Sequence, residues 1–483
     1  MKKLLYSIIA GGLIFLLPSC SKYTEITPKG ANTLSRVSDL ELLLNFNFSY
    51  NGNIAVTNPA AATTALTAFQ PNDLEVLVND IYPYITSVPG IITSGAKTLN
   101  YALTVYDESV DRKTLAATDI KYERLYYIIN NVCNAVLHNA DAASGDRAKA
   151  NQLKAEAYII RAWMHYLLVN FYAKAYNPAT AATDGGIPYV KEDNVVAEPN
   201  KKSTVAEVYA NMLADIDAAL KLNSLPNIAV NNMRVGLGFA YGVQAEVLMS
   251  MRNYTGALAA ANASLAINST VFDDRVFAPV GSTVFGKPAL TSPENLFYVA
   301  YSGSPLLLGL SLEAGNYFEP GYVIDSYVKP YYPAGNPFNA VTGSKLWYYT
   351  GPIFAINTAG LTTSDTWLIK AECLARAQNY SGAMDALNTV RQRRIHTSVY
   401  APLTANSEAQ AMTYIMKTSR VEFFYTMKNF LNIKRWNTED AYKQTITRTI
   451  NSVTYTLKPE SPLWIFPFPQ SGTAYNTNLT QNY

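Results

Sequence analysis

Two stretches of this chain repeat one another at widely separated places, and that repeat limits the possible folds more than any other feature. Ala245-Glu246-x-Leu248 followed by Asn253-Tyr254-x-Gly256-Ala257 recurs as Ala371-Glu372-x-Leu374 followed by Asn379-Tyr380-x-Gly382-Ala383, an offset of 126 residues from 245 to 371. Ala260 and Asn262 recur in register as Ala386 and Asn388. A weaker copy begins Leu153-Lys154-Ala155-Glu156, 90 residues earlier, from 155 to 245. The spacing reads as an antiparallel helix pair. The first helix runs to about residue 252, Asn253 takes the left-handed geometry that ends it, and small Gly256 and Ala257 let the second pack close. Glu156, Glu246 and Glu372 share one place in the hairpin, which suits helix packing or capping rather than catalysis.

Helical hairpins of this size build tetratricopeptide-like solenoids, where one hairpin cannot bury its own apolar face and neighbours stack. The tandem period there is about 34 residues, so these copies must be interrupted by long excursions. From Val205 the residues Val205, Tyr209, Leu213, Ile216 and Leu220 recur every three to four positions behind a Thr204/Glu207 capping box, which predicts an amphipathic helix. Residues 153–172 are apolar nearly all round and predict a helix buried between others. The fold class expected is mainly α: an α-α superhelix of tetratricopeptide-like hairpins interrupted by long loop-rich inserts. We place a helical frame at 120–267, a further hairpin at 363–395 and a C-terminal region at 396–483. A loop-rich insert falls at 45–107 and an aromatic one at 268–362. The aromatic insert holds nine tyrosines and Trp347 against four Lys or Arg, with proline and glycine scattered through it. It reads as ordered loop and short strand.

The N-terminus carries Lys2-Lys3, an apolar run from Leu4 to Leu17, and then Pro18-Ser19-Cys20. Fourteen helical residues rise about 21 Å, short of the roughly 30 Å hydrocarbon slab, so residues 1–19 read as an export signal. Ser19-Cys20 resembles the bacterial lipobox, with Cys20 as the lipid anchor, although Pro18 departs from the usual small residue. An ordinary cleavable signal is the alternative. Acyl chains at about 0.8 kcal/mol per buried CH₂ would tether the remainder, residues 20–483, to a membrane. Cys133 and Cys373 sit in apolar helix-period stretches and read as buried free thiols, with one disulfide left open.

Lys+Arg 38 against Asp+Glu 36 gives a net charge of +2, which falls to near zero once Lys2 and Lys3 are removed. No concentrated positive field is available for a phosphate backbone, so no nucleic-acid partner is expected. His138, His165 and His396 are dispersed, and no zinc spacing, nucleophile elbow or phosphate loop is present. No metal, cofactor or catalytic residue is assigned. Tyrosine, at 35 residues, is about twice as frequent as in an average protein. Trp163, Trp367 and Trp436 lie in helical stretches and are expected in the core.

Taken in order, several stretches resemble the SusD/RagB family. They are the lipobox near Cys20; Leu153 to Tyr172 with Asp184-Gly185-Gly186-Ile187-Pro188; Thr204-Val205-x-Glu207-Val208-Tyr209 with Asp215; Tyr241 to Ala261; and Ser364 to Arg394. Lys434-Arg435-Trp436, Trp464-Ile465-Phe466-Pro467-Phe468-Pro469 and Asn478-Leu479-Thr480-Gln481-Asn482 complete the match, which spans nearly the whole mature chain. One region departs: where the family carries charged residues before Lys434-Arg435-Trp436, this chain has Ser419-Arg420, Thr426-Met427, Asn429 and Asn432. The resemblance implies a non-enzymatic lipoprotein on the outer face of a Gram-negative outer membrane. It would bind oligosaccharide, or in some members peptide, and serve as lid to a TonB-dependent β-barrel transporter (SusC-like). For such a ligand, a sugar's apolar C–H face and rim of hydroxyls call for flat rings flanked by polar side chains, so the candidate ligand-binding residues are Asn79, Asp80, Tyr82, Tyr84 and Tyr101 in the early insert, and Tyr317, Tyr331, Tyr332 and Trp347 in the late one. A surface glycoside hydrolase and a helical scaffold that binds only protein are the alternatives.

Overall fold

The computed structural model describes residues 34–45, 72–81, 88–191, 199–277, 290–303, 309–322, 328–329, 345–347, 354–450 and 452–483; Cys20 lies outside them. Eight helices make the frame: α1 (Arg147–Tyr172), α2 (Val205–Lys221), α3 (Leu237–Ser250), α4 (Tyr254–Ile267), α5 (Thr363–Arg376), α6 (Tyr380–Arg391), α7 (Glu408–Glu422) and α8 (Lys428–Trp436). Each of the first six packs on the next in chain order, so the three hairpins α1/α2, α3/α4 and α5/α6 stack as a superhelix. The predicted capping box starts α2: Thr204 N donates to Glu207 Oε2 at 2.8 Å and Glu207 N to Thr204 Oγ1 at 3.2 Å. The apolar α1 is buried along most of its length, as its all-round pattern requires.

The hairpin turn works differently from the expectation. Its left-handed residues are Arg252 (φ 59°) and Gln378 (φ 61°), one position before the asparagines. Asn253 and Asn379 begin the second helix instead: their Oδ1 atoms accept from Gly256 N and Gly382 N, each at 3.0 Å. The glycines are required because the cap fills the space of a side chain. A Cβ on Gly382 would fall 2.8 Å from Asn379 Nδ2.

Two of the three repeated glutamates anchor a buried arginine. Glu156 receives Arg234 Nε and Nη2 at 2.6 and 2.8 Å, and Glu372 receives both terminal nitrogens of Arg435 at 2.8 Å. The third, Glu246, faces Tyr166 OH at 3.4 Å. Beside Arg435, Lys434 Nζ donates to Asn170 O and Ala173 O at 2.6 and 2.7 Å, taking carbonyls that the C-terminus of α1 leaves open. Arg161 and Asp215 form a paired fork at 2.6 and 2.7 Å between α1 and α2. Trp163 and Trp436 are buried as expected; Trp367 is only part-buried and donates to Ser269 O at 3.1 Å. Cys133 and Cys373 are buried and unpaired.

The chain between α4 and α5 leaves and returns along a ribbon. Asn295–Phe297 pairs antiparallel with Leu361–Thr362, and Ala300–Gly303 with Phe354–Asn357. Its root is fixed to the frame by Trp163 Nε1 donating to Ala359 O at 2.8 Å and by Phe239 stacking on Phe297 at 4.4 Å. Gly238 and Gly242 permit this approach, since Cβ atoms there would meet Leu296 and Leu361 at 3.3 and 3.2 Å. Farther along, Lys345–Trp347 pairs with both Gly309–Leu310 and Val328–Lys329. After α8 comes a hairpin of β1 (Ile446–Ile450) and β2 (Val453–Leu457). The C-terminal residues then fold back, with the Asn482 amide donating to Tyr172 O and Gly186 O at 2.7 and 2.8 Å.

Candidate functional site

The early and late inserts meet at one place, built around a turn. Helix Asn72–Leu77 ends at Asn79, whose φ of 59° reverses the chain. A reversal leaves backbone carbonyls without helical partners, and buried carbonyls must find others. Side chains from distant segments supply them. Arg448 Nη2 donates to Val76 O, Arg420 Nη2 to Val78 O, and Ser311 Oγ to Asn79 O at 2.5 Å. The Ser311 amide donates to Asp80 O at 2.9 Å, so the late insert bonds the early one through its backbone.

Asn79 and Asp80, expected as ligand contacts, are therefore corrected to internal ties, 2% and 0% exposed. Asp80 Oδ1 accepts from Arg420 Nε at 2.6 Å and Oδ2 from Asn429 Nδ2 at 2.8 Å. Asn79 Oδ1 accepts from Arg448 Nε at 2.8 Å, and its amide donates to Thr447 O at 2.8 Å. Arg448 also reaches Thr104 O and Leu103 O, at 2.8 and 3.2 Å. That bond ties the helix Leu99–Val105, which carries Tyr101, to the same centre.

Of the expected aromatic contacts, Tyr317 lies against this centre, and Tyr101 is carried on the helix that Arg448 ties to it. Tyr317 is part-buried, with the Arg420 guanidinium 5.1 Å from its ring centroid. Its neighbours hold the segment down: Phe318 packs on Phe424 at 5.6 Å, and Glu319 accepts from Arg391 at 2.6 and 3.2 Å. Tyr101 is part-buried with Lys97 Nζ 4.7 Å from its ring, and Lys97 pairs with Asp107. The Lys97 and Ser109 bonds bring the Asp107 carboxyl down to about 2. Tyr82, Tyr84, Tyr331 and Tyr332 lie outside the described residues, and Trp347 is described only as backbone, opposite Val328.

Around the centre, Tyr106 OH, Glu313 Oε2 and Arg420 Nη1 form no hydrogen bond among the described residues. Burial, reinforced by Asp80, pushes the Glu75 carboxyl well up, against the weaker pull of the Tyr425 amide and of Arg420. Burial likewise raises Asp80, although Arg420 and Asn429 oppose it, and lifts the Tyr106 phenol to about 12. Elsewhere, His165 is sealed in α1 and stacked on Tyr189 at 3.8 Å, where burial brings it down to about 3. Among the described residues, no group of three His, Cys, Asp or Glu could hold a metal ion.

Ser311, Arg420 and Arg448 were not among the residues expected from sequence. Arg448 had a signal: in Ile446-Thr447-Arg448-Thr449-Ile450 it shares the inward phase of two isoleucines, and a charge there announces an interior partner. Arg420 stood with Asn429 in the stretch that departs from the family's charged pattern, and both meet Asp80, while Ser311 carried no signal. Because Asn79, Asp80, Arg420 and Arg448 are all buried, this arrangement offers a solute the part-buried rings of Tyr317 and Tyr101 rather than its charges.

One family model, SusD-like and described as starch-binding associating with outer membrane, matches residues 86–245, and the SusD family model matches residues 357–483. No curated protein matches the chain in sequence. A solved SusD superfamily protein from Bacteroides thetaiotaomicron is similar at 17% identity and a TM-score of 0.71, covering 93% of this chain and 100% of its own. A SusD-like carbohydrate binding protein from Bacteroides vulgatus shows 18% identity and a TM-score of 0.67 over 93% of this chain and 98% of its own. Surface glycan-binding protein A from Bacteroides uniformis shows 16% identity and a TM-score of 0.63 over 86% and 93% respectively.

Proposed function

Because the chain belongs to the SusD/RagB family, we propose that it is a cell-surface lipoprotein that binds oligosaccharide, or another nutrient oligomer, and delivers it to a TonB-dependent outer-membrane transporter. The observation that carries the ligand part is the convergence of the two tyrosine-bearing inserts on one buried tie, with part-exposed Tyr317 against it and part-exposed Tyr101 on a helix bonded to it. A ring held by a fixed neighbour loses little freedom when a sugar's C–H face settles on it. Similarity to a surface glycan-binding protein and a carbohydrate binding protein supports the same ligand class. Catalysis has no place in the proposal. Tyr82, Tyr84, Tyr331, Tyr332 and Trp347 extend the proposed ligand face, and Cys20 is the proposed point of lipid attachment.

Affinity electrophoresis through gels containing different polysaccharides tests the ligand. Retardation by at least one glycan, lost in a Tyr101→Ala/Tyr317→Ala double variant, is the expected result; migration unchanged in every gel would sink the proposal. Labelled palmitate should enter the wild type and not Cys20→Ala, and a β-barrel transporter should co-purify from detergent-solubilised membranes.

A further inference from the structure

Arg420 lies on α7, far in sequence from both inserts, yet it touches each. Its edge faces the early insert: Nε meets Asp80 Oδ1 at 2.6 Å and Nη2 meets Val78 O. From the late insert the Tyr317 ring faces it, the ring centroid 5.1 Å from the guanidinium carbon. The side chain is 5% exposed, and Asn429 steadies it from α8 by donating to Asp80 Oδ2 and to Arg420 O, each at 2.8 Å. A tie between Asp80 and Val78 needs only the edge of the guanidinium, and Nη1 is left without a hydrogen bond among the described residues. Leaving a buried donor unpaired costs stability, so a guanidinium at this place is better explained by its contact with the Tyr317 ring than by the tie alone.

We infer that Arg420 is a positioning residue for ligand capture: it joins the 72–81 turn to Tyr317 as one rigid unit, so that this ring meets a sugar already fixed. The inference rests on the glycan-binding reading above. It separates Arg420 from Arg448, which grips the same turn but meets no ring of the late insert among the described contacts; its nearest ring is Tyr106, at 5.1 Å. Lysine at position 420 keeps the charge beside Asp80 but has no planar face to present to a ring. Affinity should then fall about three- to tenfold, the factor by which an unfixed side chain weakens association.

The test is a double-mutant cycle read in two quantities. Dissociation constants for maltohexaose, cellohexaose, xylohexaose and mannohexaose are measured by calorimetry on wild type, Arg420→Lys, Tyr317→Ala and the double variant, with urea denaturation of all four in parallel. The inference expects Arg420→Lys to weaken binding in the wild-type background and to have no further effect once Tyr317 is gone. Equal losses in both backgrounds, or no loss in either, would overturn it while leaving glycan binding intact. Wild type that binds none of the four sugars would overturn this inference and the proposed function together. If Arg420→Lys does not fold, fluorine NMR of wild-type protein carrying 3-fluorotyrosine at position 317 decides instead. A signal that shifts on saturation with the bound sugar supports the inference, and one that stays in place overturns it.

Discussion

Glu372 and Glu246 occupy the same register position in the two full repeats, yet their surroundings drive them in opposite directions. Burial opposes the charge on Glu372, but Arg435 and Arg376 outweigh it and bring the carboxyl from 4.5 to about 2. At about 1.4 kcal/mol per pH unit that displacement is roughly 3 kcal/mol of folding stability. This agrees with the roughly 3–5 kcal/mol expected when one partner of a buried pair is removed. The unfolded chain takes up its proton near 4.5 and the folded chain near 2, so the contribution is full above that range and is lost as pH falls through it. Glu246 behaves in the opposite sense: burial, reinforced by Asp365, raises it to about 7 against the pull of Lys428 and Arg435. Its folded form keeps a proton that the unfolded chain releases, so the wild type loses stability as pH rises from about 4.5 to about 7. Glu372→Gln should therefore cost roughly 3 kcal/mol near neutral pH and less below about pH 4. Glu246→Gln should gain stability relative to wild type as pH rises from about 4.5 to about 7, and that gain should vanish at the acid end. Urea denaturation followed by circular dichroism, repeated across this range at constant ionic strength, reads both. A Glu372→Gln cost under about 1 kcal/mol at neutral pH, or the same pH trend in both variants, would refute the reasoning.

Glu75→Gln should raise stability at neutral pH, because a carboxyl raised by burial and by Asp80 loses folding stability as pH rises above its unfolded value; denaturation midpoints that match wild type at both pH 5 and pH 8 would count against it. Gly382→Ala should cost about 1 kcal/mol or more, since the new Cβ displaces the Asn379 cap, and Asn379→Gly should make the same substitution nearly harmless. Burial raises both thiols, Cys373 to about 12, so neither Cys133 nor Cys373 should react with an exposed-thiol reagent until the chain unfolds; rapid labelling of native protein would contradict their sealed positions.

The frame was largely legible because its signals are local. The repeat, the Thr204/Glu207 box and the all-round apolar run each report on residues within a few turns, and each describes a helix that forms where expected. The repeated glutamates, expected to serve helix packing or capping, differ among themselves: Glu156 and Glu372 hold buried arginines, whereas Glu246 faces Tyr166. The hairpin turn was misread by one residue because Arg252 and Gln378 are not types that advertise a positive φ, whereas asparagine suits both a left-handed site and a helix cap. Asn79 and Asp80 were misplaced for a different reason. Their partners Arg448 and Arg420 lie 369 and 340 residues away, and no local pattern reports a contact at that distance. The polar, irregular stretch holds a buried turn whose carbonyls are satisfied by Arg420, Arg448 and Ser311, all distant in sequence.

The ribbon between α4 and α5 has a mechanical consequence. Gly303 and Phe354 face each other across the ladder, so the chain beyond them begins and ends at one point of the scaffold. Lengthening or shortening that excursion changes the closure entropy only slowly, by about 0.6 kcal/mol per doubling, and does not alter the spacing of the hairpins beneath. The molecule can therefore be treated as a fixed mount with an exchangeable cassette, provided the replacement keeps Ser311 and Glu319 to engage the Asn79–Asp80 turn and Arg391. A grafted excursion obeying that condition should change what is captured while the melting behaviour of the mount stays that of the parent.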